Sequence, residues 1–438
     1  AYLRRLIEAC HRNAILVYLW LELPHVSDKF WDAHPEWREQ TALQQDAQLD
    51  WRRLMNLNNP AAAAEVRNGV RELVAGFDWD GVNLAELYFE SLEGAANPAR
   101  FTPMNADIRQ SFAKEHGFDP LDLFRTAQPD AARMRTFLDW RAGLARRMQS
   151  EWIAEIDDLR RTRPDLDLVL THVDDRFDTR MHDLIGADAA AVLPMLAQHD
   201  FTFLIEDPAT IWNLGPQRYP QIAERYGPLT DRRDKLAIDI NIVERYQDVY
   251  PTKQQTGAEL FQLVHLAAAS FPRVALYFEN SILGPDLTLL PAAAASVDKL
   301  DQASGKLVVE SKLGVGIPWT GPALVNGKLW PVRDNRTLWL PPGPCAIEAA
   351  ARETPVRVLD FNGTIRSANA TSKGVEFAYE SASRAIAVLS APAARVEVDG
   401  FPVEASGAIL TLPRGQHLVT AIASPMAQDS GPAPGVHP

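Results

Sequence analysis

The chain has 438 residues, 46% of them hydrophobic and 23% charged, with a net charge of −13. That balance suits a folded protein of roughly two or three domains and excludes a disordered or collagen-like chain. The negative surplus argues against nucleic acid as a partner, no run nears the ~18 apolar residues of a membrane span, and two distant cysteines, Cys10 and Cys345, support neither a disulfide scaffold nor a cysteine zinc site.

The first ten residues predict an amphipathic helix already under way, with Leu3, Leu6, Ile7 and Cys10 on one face. No signal peptide precedes it, so further chain is expected upstream and the compartment cannot be read from this end. Ile15–Leu23 reads as an apolar strand, Ala61–Ala75 as a helix, and Trp79–Phe89 as an Asp-Gly turn running into a strand. A helix from about Asp130 to Arg163 stops before Pro164. Then come a strand at Asp167–Val173, a helix at Asp188–His199, strands at Phe201–Glu206 and Lys235–Val243, a helix at Gly257–Phe271 and a strand at Arg273–Glu279. Near-continuous apolar strands separated by helices predict a parallel sheet covered on both faces. The fold class expected is therefore α/β, a (β/α)8 TIM-type barrel over residues 1–292. Six strands are counted, so the first two of a full barrel are expected upstream of Ala1. No Gly-rich phosphate loop follows any strand, which weighs against a doubly wound nucleotide-binding sheet.

From about Ala293 short β-like runs lie between Gly, Pro and Asn turns. Val325-Asn326-Gly327, Pro331-Val332 and Leu340-Pro341-Pro342-Gly343 are echoed by Val398-Asp399-Gly400, Pro402-Val403 and Leu412-Pro413-Arg414-Gly415. The echo predicts a β-sandwich-like region over 293–425, built of up to two repeated modules, before a loose tail at 426–438. Its Trp319, Trp330 and Trp339 are expected to pack rather than to bind.

In a barrel, chemistry sits at the C-terminal ends of the strands. Those ends carry Trp20 and Glu22, Asn83 and Glu86, His172 with Asp174 and Asp175, Glu206 with Asp207, Asp239 with Asn241 and Glu244, and Glu279. A ring of carboxylates suits glycoside hydrolysis, in which one carboxyl donates a proton and another acts as nucleophile or base. Glu86, Glu206, Glu279 and Asp174 are the catalytic candidates. Trp20, Glu22, His25, Asn83, Tyr88, His172, Asp239 and Asn241 are the substrate-binding ones. Glu86 stands among Tyr88 and Phe89, surroundings that would raise the pKa of a general acid. No cofactor and no metal ion is called for, since no close-spaced His pair is present.

Several segments carry a family likeness. Leu6-Ile7-Glu8-Ala9-Cys10-His11 running into Val17-Tyr18-Leu19-Trp20, His34-Pro35-Glu36-Trp37, Leu57-Asn58-Asn59-Pro60 with Glu65-Val66-Arg67, and Phe77-Asp78-Trp79-Asp80-Gly81-Val82 follow one another in order. This stretch resembles the bacterial glycosyl-hydrolase-like TIM-barrel proteins known as glycosyl-hydrolase-like family ten. The resemblance implies a glycan-active barrel with its fourth strand at Val82–Glu86. Where the family has Asp-Gly-x-x-x-Asp, this chain has Glu86, one position further on. That strand also looks like the Asn-Glu acid/base strand of the large retaining-glycosidase clan, whose nucleophile on strand seven would fall near Asp239 or Glu244. The function expected is glycosidic-bond cleavage in a polysaccharide or oligosaccharide, in the periplasm or outside the cell rather than in the cytoplasm. The alternative is a catalytically silent carbohydrate-binding barrel.

Overall fold

The computed structural model describes residues 1–125, 130–244, 253–295, 297–303, 306–404 and 407–423. The chain divides into two compact units: Val17–Ala294, and the first sixteen residues together with the chain from Ala295 onward. The barrel unit thus begins at Val17 rather than at Ala1.

Within Val17–Ala294, six parallel strands lie side by side in chain order: β1 (Tyr18–Glu22), β2 (Gly81–Ala85), β3 (Asp167–Val173), β4 (Thr202–Glu206), β5 (Leu236–Asn241) and β6 (Arg273–Tyr277). Helices fill the crossovers, notably α1 (Pro60–Gly76), α2 (Ala131–Leu159), α3 (Arg218–Tyr226) and α4 (Gly257–Ser270). Local chemistry starts them. Asn59 and Asp130 cap α1 and α2 by accepting two backbone N–H groups each, and Pro60 occupies the first turn of α1, where its missing donor costs nothing. This is the expected α/β, TIM-type arrangement, present as six strands.

The sheet is strongly curled. A flat sheet would hold its first and last strands about 24 Å apart, five gaps of about 4.8 Å each. Instead the rings of Trp20 on β1 and Tyr277 on β6 stack with centroids 6.0 Å apart. Lower down the same face, Asp167 on β3 accepts hydrogen bonds from Tyr18 of β1 (2.8 Å) and Arg273 of β6 (3.0 Å). Gly81 makes room there, because a Cβ at that position would lie 2.2 Å from the Tyr18 ring.

The strand pairings sort the side chains into two faces. Trp20, Glu22, Asn83, Thr171, Glu206, Asp239, Asn241 and Tyr277 share the concave face. Val82, Leu84, Leu168, Leu170, Phe203, Ile205, Ile238 and Ile240 face the other way and are buried. The apolar face supplies the core, at about 1.5–3 kcal/mol for each side chain removed from water, which leaves the concave face free to be polar. The strand expected over Trp79–Phe89 is shorter. Glu86 adopts a positive φ of 53°, which bends the chain away from the sheet just after β2.

The β-rich unit runs from Val297 to Ala423 as antiparallel sheets. One five-stranded sheet has the order β7 (Val297–Ala303), β8 (Lys306–Ser311), β13 (Gly343–Ala349), β10 (Ala323–Val325), β11 (Lys328–Trp330), with β9 (Val315–Pro318) paired to β12 (Thr337–Leu340) beside it. A second five-stranded sheet repeats that order as β15 (Thr364–Ala370), β16 (Gly374–Ser381), β21 (Gly415–Ala423), β18 (Ala393–Val398), β19 (Phe401–Val403). Next to it lie β14 (Val358–Phe361), β17 (Ala385–Leu389) and β20 (Ile409–Leu412). Asn326-Gly327 and Asp399-Gly400 occupy equivalent hairpin turns, all four at positive φ, as the shared sequence echo required. One apolar core runs through both halves, and Trp319, Trp330 and Trp339 pack into it. The tail at 426–438 lies outside the described residues. No helix among the described residues is long and apolar enough to cross a membrane.

Candidate active site

At the upper end of the concave face, three carboxylates surround one guanidinium. Arg52 lies on a two-residue strand, Arg52–Arg53, that pairs with Gln48–Leu49 in a tight hairpin reaching over the sheet. Its Nη2 donates to both oxygens of Glu86 at 3.0 and 2.9 Å, and its Nε donates to Oε2 at 3.1 Å. Glu22 Oε1 lies 3.6 Å from Nη2 and Glu90 Oε1 lies 3.5 Å from Nε. A forked guanidinium–carboxylate contact of this kind fixes orientation as well as adding energy. The three carboxylates outweigh burial in their effect on Arg52, whose own proton is held more tightly than usual.

One cation faces three carboxyls, and Glu22 and Glu90 respond to the shortage. Burial first, then repulsion from Glu86, pushes Glu22 up to about 8. The same causes raise Glu90 well above the ordinary carboxylate range. Protonated, both lie where they can donate a hydrogen bond to Glu86.

Across the face, Glu206 ends β4 beside Asp239 of β5 in register. Glu206 is half-buried; desolvation and then the Glu86 charge raise it to about 7, against a lowering hydrogen bond from Asn241. Asp239 is 5% exposed, its Oδ1 has no hydrogen-bond partner, and burial followed by repulsion from Glu206 and Asp207 raises it well above its ordinary range. Asn241 is locked from behind. Its backbone N–H and Nδ2 donate to Asp207 at 3.3 and 3.0 Å, and its carbonyl accepts from Gln255 at 2.6 Å. Asp207 is itself gripped by the fully buried Arg218 (2.7 Å) and by the Tyr219 hydroxyl (3.0 Å). Burial raises Asp207 to about 6 against that guanidinium. The phenol of Tyr277 is raised by burial and then by the charges of Glu22, Glu86, Glu206 and Asp239, which places it with all four acids.

Of the residues expected from the sequence, Trp20, Glu22, Glu86, Glu206, Asp239 and Asn241 therefore converge. Asn83 joins the same face one layer down, where its Oδ1 accepts from Thr171 at 2.9 Å. His25 sits at the rim, its Nδ1 accepting from the Arg53 N–H at 2.8 Å and its pKa lowered by burial.

Three expected residues do not converge. His172 lies on the convex face, fully buried against Phe203, because its strand parity is opposite to that of Thr171 and Val173. Asp174 is also fully buried and organises the loop after β3. It accepts backbone N–H groups from Arg176, Phe177 and Asp178 and the Tyr226 hydroxyl, so its oxygens are occupied. Tyr88 packs in an apolar cluster with Val173, Met181 and Ile185, because the turn at Glu86 carries it off the sheet. Glu279 opens a 3-10 turn, Glu279–Ser281, and the side chains of Glu279 and Glu244 lie outside the described set. Among the described residues, no group of three or more His, Cys, Asp or Glu could hold a metal ion.

The sequence reading missed Arg52, Glu90 and Trp51. Only one weak signal marks the first: an Arg-Arg pair beside Trp51, in a segment with no periodicity of its own.

No family model matches this chain, and no curated protein does. Solved structures are similar at low identity. The glycoside hydrolase domain of PgaB (BpsB) from Bordetella bronchiseptica is 10% identical at a TM-score of 0.44, over 64% of this chain and 73% of that one. A β-galactosidase from Halorubrum lacusprofundi is 16% identical at 0.45, over 63% of this chain and 45% of that one. The α-galactosidase AgaA from Geobacillus stearothermophilus is 11% identical at 0.34, over 80% of this chain and 46% of that one. The chain thus spans less than half the length of the latter two, and all three are glycoside hydrolases.

Proposed function

We propose that this protein is a glycoside hydrolase, with Glu206 as the proton donor and Glu86 as the carboxylate facing the anomeric carbon. The observation that carries the proposal is the division of labour between the two acids. Glu86 is gripped by the forked Arg52, while Glu206, on the same concave face and under the Glu86 charge, keeps its proton up to about 7. Two carboxyls set in such different surroundings form the pair that glycosidic cleavage needs. The roles differ from the sequence expectation, which made Glu86 the acid, because that expectation did not include Arg52.

In this reading Glu206 gives its proton to the glycosidic oxygen as the bond from that oxygen to the anomeric carbon breaks. The bonding electrons leave with the oxygen, which departs as a neutral hydroxyl. Glu86 meets the positive charge growing at the anomeric carbon, either directly or by taking a proton from an attacking water. In the direct case a water then cleaves the sugar from Glu86, with ionised Glu206 accepting that water's proton. Protonated Glu22 and Glu90 stabilise Glu86 by hydrogen bonding without adding charge beside it. Asn241, fixed by Asp207, steadies the Glu206 carboxyl.

The test is turnover of a panel of polysaccharides and aryl glycosides by the full chain, E86Q and E206Q. Wild-type hydrolysis that falls at least 1,000-fold in both variants, with the folded state retained by circular dichroism, is the expected result. Glycan binding without turnover by the wild type would instead favour the silent carbohydrate-binding barrel.

A further inference from the structure

Large exposed aromatic rings are scarce in the Val17–Ala294 unit. Among its described residues, the most exposed Trp, Tyr or Phe side chains are Trp51 (56%), Trp20 (46%) and Tyr277 (46%). All three border the acid cluster, and they form two separate platforms. Trp20 and Tyr277 stack on each other across β1 and β6, where Tyr277 feels the charges of Glu22 and Glu86 ahead of those of Glu206 and Asp239. Trp51 stands on the hairpin, with the Arg52 guanidinium 4.7 Å over its ring and the His25 ring edge-on at 4.9 Å. Its hairpin is pinned: Arg100 donates to both oxygens of Asp50 at 3.0 and 2.7 Å, and the Arg53 N–H is held by His25. A rigid indole with a cation on one face and much of its surface in solvent is a prepared stacking surface.

We infer that the barrel unit binds a polysaccharide chain across both platforms, with Trp51 and the Trp20–Tyr277 pair each taking a sugar ring beyond the ring held at Glu86 and Glu206. This rests on the glycosidase reading and extends it to a substrate class: chains of three or more rings. The rings it takes have equatorial hydroxyls, because such pyranosides turn a face of axial C–H groups toward an aromatic ring. Rigid aromatic anchors lose little conformational freedom on binding, so each platform adds affinity only when a chain is long enough to reach it.

The experiment titrates β-1,4-linked glucose and N-acetylglucosamine ladders of two to six rings into the full-length E206Q chain, read by tryptophan fluorescence and calorimetry. Affinity should rise at least tenfold between two and four rings in one of the ladders. Adding W51A should weaken the four- to six-ring chains about tenfold and leave the disaccharide unchanged, and W51F should recover part of the loss. Length-independent affinity, an equal effect of W51A at every length, or no binding of any ladder would overturn the inference. Chain binding by a wild-type protein that hydrolyses nothing would keep the platforms and sink the hydrolase reading. Hydrolysis of a short aryl glycoside with no length dependence would do the reverse.

Discussion

Replacing Glu206 by Gln separates stability from catalysis at a single carboxyl. Burial and the Glu86 charge lift Glu206 from its ordinary 4.5 to about 7, so the folded protein holds this proton more tightly than the unfolded chain does. Stability from that proton is fully present below pH 4.5 and is lost as pH rises through 7. At about 1.4 kcal/mol per tenfold change in proton affinity, the loss between about pH 5 and about pH 8.5 is roughly 2.5 kcal/mol. Gln has nearly the same shape and never ionises. E206Q should therefore gain about 2.5 kcal/mol on the wild type across that range, or about 5 °C in the melting transition of a unit this size. Urea unfolding at several pH values, followed by tryptophan fluorescence, reads the difference. A stability difference that stays constant with pH would refute the raised proton affinity of Glu206 and with it the assignment of the proton donor.

Other consequences follow from the same geometry. Because the competent form of Glu206 is protonated, kcat/KM should fall as pH rises through about 7, and a profile flat to pH 9 would contradict the role. Arg52→Met removes the cation that Glu22, Glu86 and Glu90 share. It should lower kcat by more than about 100-fold and cost about 3 kcal/mol near neutral pH. Retention of full activity would remove Arg52 from the site. Asp174→Ala strips three backbone N–H groups and the Tyr226 hydroxyl of their acceptor, so it should cost about 3 kcal/mol of stability while KM for a small aryl glycoside stays within twofold. A large KM change with little loss of stability would return Asp174 to the substrate.

The barrel was legible in the sequence because its convex face is a run of apolar residues at alternate positions, as in Val82 and Leu84 or Ile238 and Ile240. The strand-end acids were legible for the same reason: Glu22, Glu206 and Asp239 interrupt strands that are otherwise apolar. Parity was harder. His172 and Asp174 share parity in sequence, but the pairing of β3 with β4 turns His172 into the convex core, and Asp174 lies past the last paired residue. Glu86 was placed on a continuing strand, whereas its positive φ ends β2 and takes Tyr88 away from the face. The hairpin at Gln48–Arg53 left no trace that pattern reading could use. Its two-residue strands are too short to show alternation, and Arg52 meets Glu86 across 34 residues of chain. The charge state of the site therefore depended on a contact that only the fold reveals, and the acid and base roles changed with it.

A structure of the full E206Q chain holding an uncleaved oligosaccharide tests the central claim most directly. With Glu206 as proton donor, a glycosidic oxygen lies about 3 Å from the side chain at position 206 and the anomeric carbon of the same linkage faces Glu86. A sugar bound elsewhere, or a linkage whose oxygen meets Glu86 while position 206 faces no part of it, would contradict that claim.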